Sequence, residues 1–147
     1  MRTYDIKPFD VPVSVIGLGT MIFHPDTAER DHSILSAFVE HGGTYVDTAE
    51  IYGAVEQFGH SEAVIGDWLA ADESRRGRIV LASKGLIPGF CETLHPGGAK
   101  IDPASVHAAI EGSLSRFKTG YLDIWMFHRD DPSKPVGPLV DALDEEV

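Results

Sequence analysis

Cysteine is nearly absent from this chain, since Cys91 is the single one among 147 residues. An internal disulfide framework is therefore excluded, and a reducing compartment fits. Long apolar runs are also missing, because no stretch approaches the roughly 18 residues that suggest a membrane-spanning helix. The first residues, MRTYDIKPFDVPVSV, show neither a continuous apolar segment nor a cleavage-site pattern of a signal peptide. These absences predict a cytoplasmic protein without a membrane span.

Positive charge is scarce as well, with 12 Lys and Arg against 23 Asp and Glu and a formal net charge of −11. Binding to DNA, RNA or an anionic lipid surface needs a basic patch, so partners of those kinds are not expected. A few local cations could still bind a phosphorylated cofactor. The histidines lack the HxH and HExxH spacings of metal sites, and no metal site is predicted.

The chain does contain a regular alternation of short apolar segments with segments of helical periodicity. Strands are predicted over residues 13–18, 44–47, 79–83 and 121–127. Helices are predicted to begin at Asp26 or Thr27, at Ser61 with Glu62, at Asp102 with Pro103, and after Pro138. Repeated strand–helix units indicate a parallel sheet with right-handed crossovers. The doubly wound open sheet and the (β/α)8 barrel are both built this way, and both bind ligands at the carboxyl ends of their strands.

Two segments beside the predicted strands bear on the kind of site. The sequence GLG at 17–19 follows a strand, but Ile22 stands where a dinucleotide fingerprint needs its third glycine. No helix follows directly either, which excludes a Rossmann loop. Residues 85–101 form a long connection for a strand–helix unit. Their prolines and glycines are compatible with a lid over the site, and equally with a loose insertion.

Polar residues stand at three of the predicted strand ends, namely Asp47, Lys84 and His128, and Tyr52 follows shortly after the first. A tyrosine is a poor acid at neutral pH, with a reference pKa near 10. A neighbouring ammonium stabilises the phenolate and can lower such a pKa by about 1–3 units. Lys84 could supply that charge, Asp47 could hold the lysine, and His128 could bind a substrate oxygen. Each residue alone also has an ordinary structural interpretation, but the combination suits protonation of a carbonyl oxygen whose carbon accepts a hydride.

The motifs that carry this chemistry resemble those of the aldo-keto reductase family. They are DTAEIYG at 47–53, the lysine in LASKG, and SLSRFKTGYLDIWMFHRDDP with its histidine. The resemblance runs from about Val13 to the last residue and implies NADP(H)-dependent reduction of an aldehyde or ketone on a (β/α)8 barrel. It implies a catalytic tetrad of Tyr52 as general acid, Lys84 as the residue that tunes it, Asp47 as the partner of the lysine, and His128 as the residue that orients the carbonyl. It also implies that four residues lie at an NADPH site. These are Gly19, Thr20, Met21 and Asp47.

A complete barrel of this type takes about 250 residues, whereas residues 1–147 provide four strand–helix units. The sequence thus predicts the N-terminal half of a barrel domain that ends within its fourth helix. The resemblance places the remaining cofactor contacts on strands five to eight. The 147-residue chain alone is expected to be inactive and to self-associate through its open edges. The alternatives are a non-catalytic cofactor-binding or regulatory relative, an inactive fragment, and a metal-dependent barrel hydrolase.

Overall fold

The structure is a computed structural model that describes residues 1–53 and 58–147. Its strands are β1 Thr3–Tyr4, β2 Val13–Ser14, β3 Gly17–Gly19, β4 Tyr45–Asp47, β5 Val80–Gly85 and β6 Ile124–Phe127. Its α-helices are α1 Ala28–Glu40, α2 His60–Ala70, α3 Pro103–Phe117 and α4 Gly137–Asp144. Short 3₁₀ helices cover Pro25–Thr27 and Glu73–Arg78. No helix among these described residues is long and apolar enough to span a membrane.

Four of the strands form one parallel sheet in the order β3-β4-β5-β6. The register places Gly19 opposite Asp47, and Asp47 opposite Ala82. On the other side of β5, Lys84 lies opposite Met126. The chain therefore runs through the predicted strand–helix units in sequence order, and the predicted parallel sheet is confirmed.

The prediction of one continuous strand over residues 13–18 is wrong. Val13 and Ser14 pair antiparallel with β1, and only Gly17–Gly19 joins the parallel sheet. The Ser14 hydroxyl explains the break, because it donates to the carbonyl of Ile16 at 2.7 Å and accepts from the backbone N–H of Thr44 at 3.0 Å. A side chain that bonds its own backbone two residues on turns the chain between the two strands.

Two apolar cores hold the helices on one face of the sheet. The first lies between α1, α2 and the sheet and includes Leu35, Val46, Trp68 and Phe117. Helices α2 and α3 approach very closely there, since a Cβ added at Gly66 would collide with the carbonyl oxygen of Arg116. The second core lies under α3 and α4 and takes in parts of the 85–101 segment.

The helix starts agree only partly with the sequence predictions. Asp102 caps α3 as expected, because its carboxylate accepts from the backbone N–H of Ser105 at 2.8 Å. Neither Asp26 nor Thr27 caps α1 through its side chain, and the His24 ring instead accepts from the N–H of Asp26 at the start of the 3₁₀ turn. Helix α2 begins at His60, one residue before the predicted Ser61, after Gly59 at φ +85°.

The long connection over residues 85–101 is packed rather than loose. Five of its apolar residues are at most 8% exposed, namely Leu86, Ile87, Cys91, Ala99 and Ile101. A backbone hydrogen bond from Ala99 N–H to the carbonyl of Phe90, at 2.7 Å, closes the segment on itself. Burial of this kind contradicts the loose-insertion interpretation, while a role as a lid stays a prediction.

Candidate active site

The carboxyl ends of β4 and β5 bring Asp47 and Lys84 together. The lysine Nζ lies 2.8 Å from both carboxylate oxygens of Asp47 and 2.7 Å from the carbonyl oxygen of Thr48. An ammonium group has three N–H donors, and these three acceptors use all of them. The two side chains are only 18% and 29% exposed, so solvent screens the ion pair weakly. The charge of Lys84 is thus fixed in one place at the edge of the sheet.

Tyr52 and His128 lie beside this ion pair. The Nζ atom of Lys84 is 5.3 Å from the centre of the Tyr52 ring. The rings of Tyr52 and His128 are 5.9 Å apart and nearly perpendicular, at 89°. The structure therefore brings together all four residues that the sequence predicted as a catalytic set, although they come from three different strand ends.

Local hydrogen bonds determine where the Tyr52 backbone lies. Its N–H donates to the carbonyl of Ala49 at 3.0 Å, which makes a tight turn after β4. Its carbonyl accepts from the N–H of Ser61 at 3.2 Å in the first turn of α2. Tyr52 is anchored on both sides of its own residue, and residues 54–57 beyond it lie outside the described part of the chain.

His128 directly follows β6, and its backbone N–H donates to the carbonyl of Gly85 at 2.7 Å. Burial first, and then the positive charge of Lys84, hold the pKa of the His128 imidazole below its usual range. The lowered pKa favours the neutral ring at pH 7, which carries one N–H and can donate one hydrogen bond.

The residues predicted to contact a cofactor lie next to Asp47. Gly19 ends β3 with open space around its missing Cβ, and Met21 is 63% exposed. Thr20 has another contact, since it is fully buried and donates through both its N–H and its hydroxyl to the carbonyl of Asp47, at 3.1 Å each. Thr20 thus holds the Asp47 backbone, and its predicted contact with a cofactor would need a change in this conformation and stays a prediction.

Two further residues that shape this site were not predicted from the sequence. Tyr45 lies on the same face of β4 as Asp47, and its ring covers Gly17, where an added Cβ would be 2.6 Å away. Burial and the Asp47 carboxylate raise the pKa of Tyr45. The alternation of side chains along a strand was a signal that could have identified it. The other missed residue is Glu50, a buried acid inside the DTAEIYG motif itself.

A buried polar network lies behind β5, on the helix side of the sheet. The Glu62 carboxylate accepts from the hydroxyls of Ser83 at 2.6 Å and Ser113 at 2.9 Å. It also accepts from the Nε of Arg116 at 2.6 Å. Because Ser83 immediately precedes Lys84, this network ties the lysine-bearing strand to helices α2 and α3.

Fold and site together define the class of protein: an α/β chain with a parallel sheet and a charged, partly buried site at the carboxyl ends of its strands. No cluster of three metal-ligating side chains occurs in residues 1–53 and 58–147. The sequence profile of the Aldo/keto reductase family matches residues 15–147. The chain belongs to the aldo/keto reductase family, whose fold is of the TIM-barrel type.

Individual relatives agree with this assignment. The chain is 31% identical over 137 residues to an uncharacterized oxidoreductase, YrpG, of Bacillus subtilis, covering 92% of this chain and 42% of that protein. It is 37% identical over 124 residues to a 6-dehydroglucose reductase of Novosphingobium aromaticivorans, covering 83% of this chain and 38% of that protein. The solved holo structure of the aldo-keto reductase AKR11C1 from Bacillus halodurans matches with a TM-score of 0.80 at 28% identity, covering 99% of this chain and 46% of that one. The chain thus spans less than half the length of these relatives.

Proposed function

We propose that this chain carries the proton-transfer half of the active site of an NADP(H)-dependent oxidoreductase that reduces an aldehyde or ketone to an alcohol. The observation that supports it best is the fixed Lys84 ammonium, bonded to both oxygens of Asp47 and 5.3 Å from the Tyr52 ring. A cation held at this distance stabilises a phenolate as it forms, which makes the phenol a better proton donor.

Each residue then has a separate part in the reaction. Tyr52 donates its phenolic proton to the carbonyl oxygen of the substrate, and Lys84 stabilises the phenolate that remains. Asp47 holds the Lys84 ammonium in place beside Tyr52, through two hydrogen bonds of 2.8 Å. Neutral His128 donates a hydrogen bond to the same carbonyl oxygen and fixes its direction. General-acid help of this kind contributes about 10²–10⁴-fold to the rate.

The residues beside Asp47 fit a nicotinamide ring. Gly19 leaves the surface next to Asp47 without a side chain, and the apolar side chain of Met21 is exposed beside it. A flat aromatic ring needs such an open, partly apolar surface. When bound, the cofactor supplies the hydride. The preference for NADPH over NADH rests on family membership, because the phosphate-binding half of such a site is expected on later strands.

The test of this proposal replaces Tyr52 by Phe in a complete barrel protein of which this chain forms part. We expect turnover of a carbonyl substrate to fall by at least the general-acid factor of about 10²-fold, with NADPH binding nearly unchanged, because Phe keeps the ring and loses only the hydroxyl. Tyr4→Phe is the control, since Tyr4 is 54% exposed in the N-terminal hairpin. Unchanged turnover in Tyr52→Phe would reject Tyr52 as the acid.

We also propose that the four strands form one half of a barrel that a second half completes. Edge strands β3 and β6 have no further neighbour in the described residues. Apolar side chains are exposed just before and after β3, namely Val15, Ile16, Met21 and Ile22, and Met126 is exposed on β6. Sequencing the source DNA beyond the codon for Val147 tests this. An open frame with four more strand–helix units supports the proposal, and an immediate stop codon contradicts it.

A further inference from the structure

Glu50 is a buried acid to which the proposed reaction gives no part. It lies between Asp47 and Tyr52 in the chain and is 1% exposed. A carboxylate buried to this extent is costly unless hydrogen bonds satisfy it. The hydrogen-bond partners of Glu50 therefore indicate its role in the fold.

Glu50 is bonded to three segments at once. Its side chain accepts from the backbone N–H of Leu86 at 2.6 Å and from the Nε2 of His95 at 3.0 Å. Its own N–H donates to the carbonyl of Lys84 at 2.9 Å, and its carbonyl accepts from Gly59 at 2.6 Å. A carboxylate can only accept, so the Nε2 of His95 carries the proton. One residue thus joins the catalytic strand ends to the start of α2 and to the 85–101 segment.

The backbone conformation of Leu86 indicates that specific contacts hold the 85–101 segment in place. Leu86 has φ +64°, in the left-handed region that residues with a Cβ rarely adopt. Such conformations persist only where surrounding contacts impose them. One oxygen of the Glu50 carboxylate accepts from the N–H of Leu86 itself. The other oxygen bonds to His95, which lies nine residues further along the segment.

We propose that Glu50 is a positioning residue that latches the 85–101 segment, through Leu86 and His95, onto the strand ends that carry Lys84 and Tyr52. The latch keeps that segment packed against the strand ends and holds the turn between Asp47 and Tyr52 in register with β5. Any effect of the latch on turnover rests on the proposed function. The latch itself does not depend on that function, and it can be tested without measuring turnover.

Cys91 provides a reporter for the latch because it is the only thiol in the chain and lies inside the segment. It is 2% exposed, and burial first and then the charge of Glu50 raise the pKa of its thiol to about 12. Its reaction with a disulfide reagent such as DTNB near pH 8 therefore requires the segment to open. Substitution of Glu50 would also change the thiol pKa directly, so the test is made at His95, which is not among the groups that shift it.

The experiment compares His95→Phe, which keeps a ring without a donor, with His95→Gln, which keeps an N–H donor. We expect Cys91 in His95→Phe to be labelled about 10- to 100-fold faster than in the wild type, the factor that a hydrogen bond to a charged group represents. His95→Gln should stay close to the wild-type rate. Val39→Ala, in the other core, serves as a control for a general loss of stability.

The outcomes separate the latch from its alternatives. Wild-type labelling rates in a folded His95→Phe variant would overturn the proposal, and so would equal acceleration in His95→Phe and Val39→Ala. If His95→Phe fails to fold, amide hydrogen exchange of the wild-type chain decides, because the Leu86 N–H should be as protected as its β5 neighbours. Exchange of Leu86 at the rate of an unbonded amide would overturn the proposal. Failure of Tyr52→Phe to lose turnover would affect the proposed function and leave the latch untouched.

Discussion

Replacement of Glu62 by Ala tests whether the buried network behind β5 holds the lysine-bearing strand in place. The carboxylate has no exposed surface, and it accepts from Ser83, Ser113 and Arg116 at 2.6–2.9 Å. Removal of one partner from a buried ion pair costs about 3–5 kcal/mol, because the other charge stays buried and unpaired. Arg116 is 21% exposed and can recover some hydration, so we expect a loss near the lower end, about 3 kcal/mol.

Urea unfolding followed by circular dichroism measures this loss. Thermal unfolding gives a second readout, because a destabilisation of about 3 kcal/mol should lower the melting temperature by roughly 6–12 °C for a chain of this size. Glu111→Ala is the matched control, since Glu111 is an exposed acid on α3 and its removal should stay within about 0.5 kcal/mol. A double-mutant cycle with Arg116→Ala should show a coupling of about 0.5–3 kcal/mol. A loss below about 1 kcal/mol for Glu62→Ala, or no coupling, would refute the view that this network supports β5.

Two further predictions concern pH and association. The lowered pKa of His128 means that the unfolded chain binds its proton at a higher pH than the folded chain does. The contribution of His128 to the free energy of unfolding is therefore complete above the pKa of the unfolded chain, about 6.5, and is lost as the pH falls below it. His128→Asn should reduce the difference in unfolding free energy between pH 7.5 and pH 5.5. His107→Asn should enlarge that difference, because Glu146 raises the pKa of His107. An unchanged difference in His128→Asn would contradict this assignment. The exposed apolar side chains that flank β3 and that of Met126 on β6 predict that the 147-residue chain forms dimers or larger species. Light scattering should show them, and a monodisperse monomer would count against the open-edge reasoning.

Much of the site could be predicted from the sequence because its residues follow the strands directly. Asp47, Lys84 and His128 each stand where an apolar segment ends, and the ends of parallel strands meet at one edge of a sheet. The motif around Tyr52 fixed its place relative to Asp47 along the chain. The positions of Asp47, Lys84 and His128 needed only local periodicity and the rule that repeated strand–helix units form a parallel sheet. The catalytic roles, that of Tyr52 above all, rest on the resemblance to the aldo-keto reductase family.

Contacts between distant segments could not be predicted in the same way. Nothing near Ser14 in the chain shows that its hydroxyl will meet Thr44 and divide a strand, and nothing near Glu50 shows that it will meet His95. The sequence likewise does not show that Thr20, predicted as a cofactor contact, is buried and donates to the carbonyl of Asp47. Each of these contacts forms because packing of the core removes a polar atom from water, so that this atom bonds to a group from another segment.

The sequence by itself therefore determined the order of the strand–helix units and the parallel sheet, and it singled out the four polar residues at the edge of that sheet. Those features follow from the spacing of apolar residues and from strand direction, which are local properties of the chain. Only the tertiary structure decided that the Thr48 carbonyl takes the third hydrogen bond of the Lys84 ammonium, and that the 85–101 segment is packed against Glu50. Those features arise because buried charges must find their partners wherever the fold brings such partners within reach.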